Sequence, residues 1–175
     1  MSSTFVRHRR DLLAAPLLLM WLPAATAQGK PAATVVLAVS ARAQAGDKAP
    51  RRTDFEPGQL ERLPQHTIRT TTPWYSGAHE FSGPLLRDVL DAAGVPARAE
   101  GTARCTALND YRVDLPLDDA RRFDVVVARL LDGKPMSVRE KGPLFIMYPF
   151  DERPELRTSV YFSRCIWQLK AIEVV

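Results

Sequence analysis

ALNDYRVDLP at residues 107–116, LLDGKP at 130–135 and EKGPLFIMYPF at 140–150 make up the stretch from which the rest of the chain is read. Asp132-Gly133 is its clearest signal, because a two-residue hairpin turn needs positive φ at both central positions and Asp-Gly supplies it. The runs Asp124–Leu131 and Lys134–Val138 flank that turn as strands, and Leu144–Tyr148 reads as a further buried strand ended by Pro149. Just ahead of them, Asn109, Asp110 and Tyr111 set a carboxamide, a carboxylate and a phenol at the end of the weakly alternating strand Ala99–Leu108.

Outward from this stretch, short strands outnumber helices. Thr34–Val39 is β-branched and continuously apolar, His66–Thr72 alternates, and Ile166–Val175 closes the chain with a spaced apolar face, so all three read as strands. Gln28–Ala33 is a small-residue lead-in, and the polar, basic run Ser40–Thr53 reads as loop. Helices are expected at Phe55–Leu63 with Asp54 as N-cap, at Leu85–Ala93 opened by Ser82 or Gly83 and stopped by Gly94, and at Leu117–Phe123. With no regular βαβ alternation, the class is α+β, with mixed, mainly antiparallel sheets and short helices.

The 175 residues have room for one domain. Arg7, His8, Arg9 and Arg10, the apolar core Leu12–Leu22 and Ala25-Thr26-Ala27 predict a secretory signal peptide over residues 1–27, leaving 28–175 as the exported domain. The apolar core is too short to span a bilayer, which takes about 20 residues. Arg9-Arg10 before Leu12-Leu13 also fits a twin-arginine signal, and the expected location is the periplasm. The net charge of +4 falls to +2 once Arg7, Arg9, Arg10 and Asp11 leave with the leader. That balance, with no basic stripe interleaved with aromatics, gives no nucleic-acid footprint. Cys105 and Cys165 read either as a disulfide or as two thiols that never meet.

Several chemistries are excluded. Beyond the leader only His66 and His79 remain, and no G-x-S-x-G elbow, H-E-x-x-H pair, C-x-x-C pair or glycine-rich phosphate loop is present. Trp74, Tyr75, Tyr111, Tyr148, Tyr161 and Trp167 can supply faces for a flat heterocycle, with Asn109, Asp110 and Asp114 for its edges. Tyr148 and Trp167 read equally as ordinary core, and Asp110 equally as the cap of its turn.

FSGPLLRDVLDAAG at 81–94, ALNDY at 107–111 with Leu115-Pro116, DGKPM at 132–136, REKGPLFIMYPFD at 139–151 and SRCIWQLKAIEV at 163–174 together resemble a known family. They are similar to the small periplasmic pterin-binding relatives of the molybdopterin-binding domain of sulfite-oxidase-type oxidoreductases. The resemblance runs from about Thr34 onward and implies the sulfite-oxidase-like molybdopterin-binding fold. It also implies a pocket walled by Asn109, Asp110 and Tyr111, floored by Arg139, Lys141 and Gly142, and contacted by Tyr148, Arg164 and Trp167.

Two departures matter. The oxidoreductases bind molybdenum through a cysteine ahead of the helix similar to Leu85–Ala93, whereas Thr67–Trp74 holds no thiol here. They also carry an arginine after the glycine similar to Gly142, where this chain has Leu144 and Phe145. The resemblance therefore implies a pterin, expected as a reduced pterin, rather than molybdopterin as the ligand, with no metal. It implies a non-catalytic role, relaying occupancy to an inner-membrane sensor such as a diguanylate cyclase/phosphodiesterase or a histidine kinase. The alternative is a molybdopterin-dependent oxidoreductase with atypical molybdenum ligation.

Overall fold

The structure, a computed structural model, describes residues 34–41 and 51–175. The leader read over residues 1–27, the lead-in after it and most of the loop expected at 40–53 lie outside the described residues. No helix among the described residues is long and apolar enough to cross a membrane.

The chain runs β1 (Leu37–Ala41), β2 (Arg51–Phe55), α1 (Pro57–Arg62), β3 (Gln65–Thr72), β4 (Tyr75–Pro84), α2 (Leu86–Ala92), β5 (Thr102–Ala107) and β6 (Arg112–Pro116). It continues through α3 (Leu117–Arg122), β7 (Val126–Ala128), β8 (Leu130–Leu131), β9 (Lys134–Pro135), β10 (Phe145–Met147), α4 (Ser159–Arg164) and β11 (Leu169–Val174). Three sheets result, in the orders β2-β1-β11-β5-β6, β3-β4-β8-β9 and β10-β7. Every strand pairing is antiparallel except β1 with β11, so the expected α+β class with mainly antiparallel sheets holds.

The core lies between the sheets. The inward faces of β5 and β11 supply Ala103, Cys105, Ala107, Leu169 and Ile172, and the fully buried β7 and β10 run through the middle. Helix α2 covers one side with Leu86, Val89 and Leu90, the i, i+3, i+4 face its sequence encodes. Gly83 has no Cβ for a packing reason: one built there would stand 2.0 Å from the Val127 carbonyl oxygen, so β4 could not approach β7. The expected hairpin forms with Asp132 at φ 48° and Gly133 at φ 74°, both positive as the turn demands.

Several elements depart from expectation. Arg51–Phe55 is a strand where Arg51–Thr53 reads as loop, Asp54 as a cap and Phe55 as the start of a helix, because its backbone groups pair with β1 although its side chains are mostly exposed. Strand β4 runs through Pro84, so α2 starts after Leu85 rather than at Ser82 or Gly83, and α1 is capped by Glu56 rather than Asp54. Arg112–Pro116 forms strand β6 against β5, and Ser159–Arg164 forms helix α4; both carry too little periodic apolar pattern to stand out in sequence.

Candidate functional site

The hairpin between β5 and β6, the turn from β3 into β4 and the passage from α4 into β11 converge on one groove of about 380 Å³. Such a volume lies within the usual range of small-molecule sites. Its lining is Trp74, Ala107, Asn109, Tyr111, Phe162, Ser163, Cys165, Ile166 and Trp167. Ala107, Cys165 and Ile166 are buried beneath it, while Tyr111 and Trp167 stand exposed at the rim, Trp167 with 37% of its surface open.

Local chemistry sets each wall. At the hairpin tip the Tyr111 N–H donates to Asn109 Oδ1 at 3.2 Å and the Asp110 N–H to the Ala107 carbonyl at 3.0 Å, while Asp110 takes a left-handed conformation. Asparagine and aspartate suit such turns because their side chains bond nearby backbone and tolerate positive φ. Opposite, α4 begins after Thr158, and Ser163 Oγ donates back to the Val160 carbonyl at 2.7 Å. Trp167 then bridges Phe145, and Trp74 packs at 6.0 Å from Trp167 and nearly edge-on at 6.2 Å to Phe162.

A string of backbone bonds ties the walls together. The Leu108 N–H donates to the Gln168 carbonyl and the Gln168 N–H to the Lys141 carbonyl, at 2.9 and 3.0 Å. Asp110, Gln168 and Lys141 are all non-glycine residues at positive φ. Each such residue carries a cost of about 1–2 kcal/mol, which surrounding contacts must offset. Gln168 Nε2 also donates to the Val138 carbonyl at 2.8 Å, Lys170 grips Asp110 at 2.6 Å, and the Lys141 ammonium lies 4.7 Å from the Tyr75 ring centre.

The residues read from sequence divide into four groups. Asn109, Tyr111 and Trp167 meet in the groove. Asp110 sits beside it but turns to Lys170, whose hydrogen bond and charge hold its carboxyl below the usual range. Arg139 and Lys141 line a separate, more polar cavity with Tyr75, Asp132, Lys134 and Glu140. Gly142 lies buried behind that loop, where a Cβ would come within 2.0 Å of the Met136 carbonyl oxygen, so its part is close packing.

Tyr148 and Arg164 do not reach the groove as stacking partners. Tyr148 is fully buried, and its hydroxyl donates to Asp119 Oδ2 at 2.8 Å. Burial first, then Asp119, pushes the phenol's pKa far up. Arg164 reaches the same Asp119 oxygen at 2.7 Å and stacks on Tyr161. The pair anchors α4, and through it the groove wall, to α3. Sequence reading placed Trp74 among the available aromatic faces but not in the pocket, and it did not single out Phe162, Ser163 or Cys165. The signal for the last two lay in the SRCIW block around Trp167.

A soft metal finds no fitting ligand set. The stretch expected to lack a thiol, Thr67–Trp74, ends with Thr70 and Thr71 held by Asp151: its carboxylate accepts from the Thr71 N–H and hydroxyl at 2.9 and 2.8 Å, and its N–H donates to Thr70 Oγ1. Arg157 closes the cluster by donating to both Asp151 and Thr71. Burial opposes the Asp151 charge, but the Thr71 bonds and Arg157 outweigh it and keep the carboxyl ionised below its usual range. Cys165, the thiol nearest the groove, has its pKa pushed up by burial, and burial raises Cys105 to about 12. Both are unpaired. Among the described residues no cluster of histidine, cysteine, aspartate and glutamate could hold a metal ion. The groove's lining is mainly aromatic and apolar, with Asn109, Ser163 and Cys165 as its non-aromatic polar or sulfur-bearing members.

Among solved structures, the sulfane dehydrogenase SoxCD from Paracoccus pantotrophus is similar, with a TM-score of 0.55 at 14% identity. The similarity covers 79% of this chain but only 38% of that one, and at this identity it speaks to fold alone. No curated protein matches. Residues 47–150 match the oxidoreductase molybdopterin binding domain, and the chain belongs to that family.

Proposed function

We propose that this domain binds a pterin, in reduced form, in the Trp74–Tyr111–Trp167 groove, without redox catalysis of its own. The observation that carries the reading is the groove itself: indole and phenol faces around a carboxamide, over the buried Cys165. A pterin is a flat bicyclic ring with a hydrogen-bonding edge, and aromatic faces with a few placed polar groups suit it. The oxidoreductase alternative needs a protein ligand for molybdenum, and Thr67–Trp74, where the oxidoreductases carry their cysteine, holds no thiol.

The reading includes a relay to a protein partner in the periplasm, the periplasmic domain of an inner-membrane sensor. What supports it is the distribution of apolar surface. Of the six large apolar side chains exposed among the described residues, Leu108, Tyr111, Val160 and Trp167 belong to the segments that frame the groove. A partner resting there would meet both protein and ligand, and it would sense occupancy by binding the two states with different affinity.

Titration with tetrahydrobiopterin tests the reading. Trp167→Ala is expected to weaken binding at least tenfold, about 1.4 kcal/mol. Unchanged affinity removes Trp167 from the site. Stoichiometric molybdenum in protein exported from its native host would overturn the metal-free reading.

A further inference from the structure

Many of the cations on this chain face a carboxylate. Arg52, Arg87 and Arg121 do so at 2.8 Å and Arg129 at 3.2 Å. The loop after β8 is different. Lys134, Arg139 and Lys141 line one cavity of about 540 Å³, and none of the three has an ion-pair partner among the described residues. The two carboxylates of that cavity are engaged by their own backbone surroundings. Asp132 accepts from the Glu80 N–H through Oδ1 at 2.9 Å and meets His79 through Oδ2 at 2.7 Å. Glu140 Oε2 accepts from the Ser137 N–H and hydroxyl at 3.3 and 2.9 Å, in the capping box of the short 3-10 turn Val138–Glu140. Lys141 is held in place over the Tyr75 ring, 4.7 Å from its centre. Lys134 and Pro135 form β9, the outermost strand of its sheet, and both are exposed. Pro135 has no N–H to offer a further strand, so whatever rests here is recognised through side chains. Tyr75, Leu131 and Met136 give the same cavity an apolar surface.

We propose that this basic hollow is a docking site for an acidic protein segment, an extended stretch carrying several Asp or Glu side chains. Lys134 and Arg139 are exposed, so each alone contributes little in water. A lone small anion would gain only the screened attraction of such solvated charges. A segment with several carboxylates meets all three cations at once, which speeds encounter and sets register, and its length also covers the surface of Tyr75, Leu131 and Met136. The site is separate from the aromatic groove and stands whether or not a pterin binds there.

Fluorescein-labelled hexaglutamate, followed by fluorescence anisotropy against the full chain, tests the proposal. Binding is expected at about 0.02 M sodium chloride and should be lost at about 0.5 M, where the screening length falls to a few ångströms. Lys134→Glu/Arg139→Glu should weaken binding at least tenfold, and Lys134→Gln/Arg139→Gln, which removes the charges without reversing them, serves if the reversal disturbs the loop. Arg51→Glu/Arg98→Glu changes the net charge by the same amount at two unpaired cations that line neither cavity, and it should leave affinity within about twofold. No binding by the wild type at low salt overturns the proposal, as does equal weakening by the two reversal pairs, which would show only the pull of net charge. Displacement of the peptide by citrate at equal carboxylate concentration also overturns it, by making the hollow a site for small anions. None of these outcomes touches the pterin reading, which titration of the groove decides.

Discussion

Replacing Asp119 with alanine should be among the more destabilising single changes available to this fold, and its cost can be assembled from two contacts. Asp119 is 4% exposed, and one of its oxygens, Oδ2, takes both the Tyr148 hydroxyl and the Arg164 guanidinium. With the carboxylate gone, a fully buried phenol loses its partner, which costs about 1–3 kcal/mol. Breaking a buried ion pair costs about 3–5 kcal/mol. The Arg164 side chain keeps 22% of its surface in water, so its share falls below that range, to about 2 kcal/mol. Together Asp119→Ala should cost about 3–5 kcal/mol. Tyr148→Phe leaves Asp119 still paired with Arg164 and should cost about 1.5 kcal/mol. Because the two act through one oxygen, Asp119→Ala made in the Tyr148→Phe background should cost about 1–2 kcal/mol less than in the wild type. Urea unfolding followed by tryptophan fluorescence and far-UV circular dichroism measures all four corners of the cycle. Additive costs, or an Asp119→Ala cost below about 1.5 kcal/mol, would refute the account of α4 as anchored by this oxygen.

Other expectations follow from the same geometry. The His79 Nδ1–H donates to Asp132 Oδ2 at 2.7 Å, which raises the His79 pKa above 6.5, so the stabilisation it brings is fully present below pH 6.5 and fades as pH rises through the raised value. The melting-temperature gap between wild type and His79→Gln should therefore narrow from about pH 6 to about pH 9, and a gap that widens would contradict the pairing. Both cysteines are buried and unpaired, so thiol reagent should find two free thiols in denaturant without reductant and close to none in the native protein; a single slow-reacting disulfide would contradict this. Gly142→Ala drives a methyl into the Met136 carbonyl and should destabilise by about 3 kcal/mol in chemical denaturation, with a neutral result showing that the loop can retreat.

The fold was legible where local chemistry and periodicity agree. Asp132-Gly133, the alternation of β3 and the apolar face of α2 each specify their own geometry, and the structure follows them. Strand β2 was hidden because its pairing with β1 is a backbone matter that polar side chains do not advertise. Part of the site was legible for the opposite reason: Asn109 and Tyr111 stand in a turn whose residue types encode it. Tyr148 was misread toward the ligand because an aromatic in an apolar strand looks alike whether it faces a groove or a core. Its hydroxyl finds Asp119 from 29 residues away in sequence, a contact no spacing rule conveys. The joint role of Trp74 and Trp167 was equally invisible, since they lie 93 positions apart and meet only when β3, β4 and β11 assemble.

The left-handed residues behind the groove lead to one further consequence. A glycine would adopt the backbone of Asp110, Lys141 or Gln168 without penalty, yet each position keeps a side chain that holds something in place. Asp110 pairs with Lys170, Lys141 sets its cation over Tyr75, and Gln168 clasps Val138. Loosening any clasp lets its residue relax toward ordinary φ, and the hydrogen-bonded string would hand that slack to the next residue along. The rear of the groove is thus one continuous fastening, in which the approach to the last strand is bonded on one side to the hairpin and on the other to the basic loop.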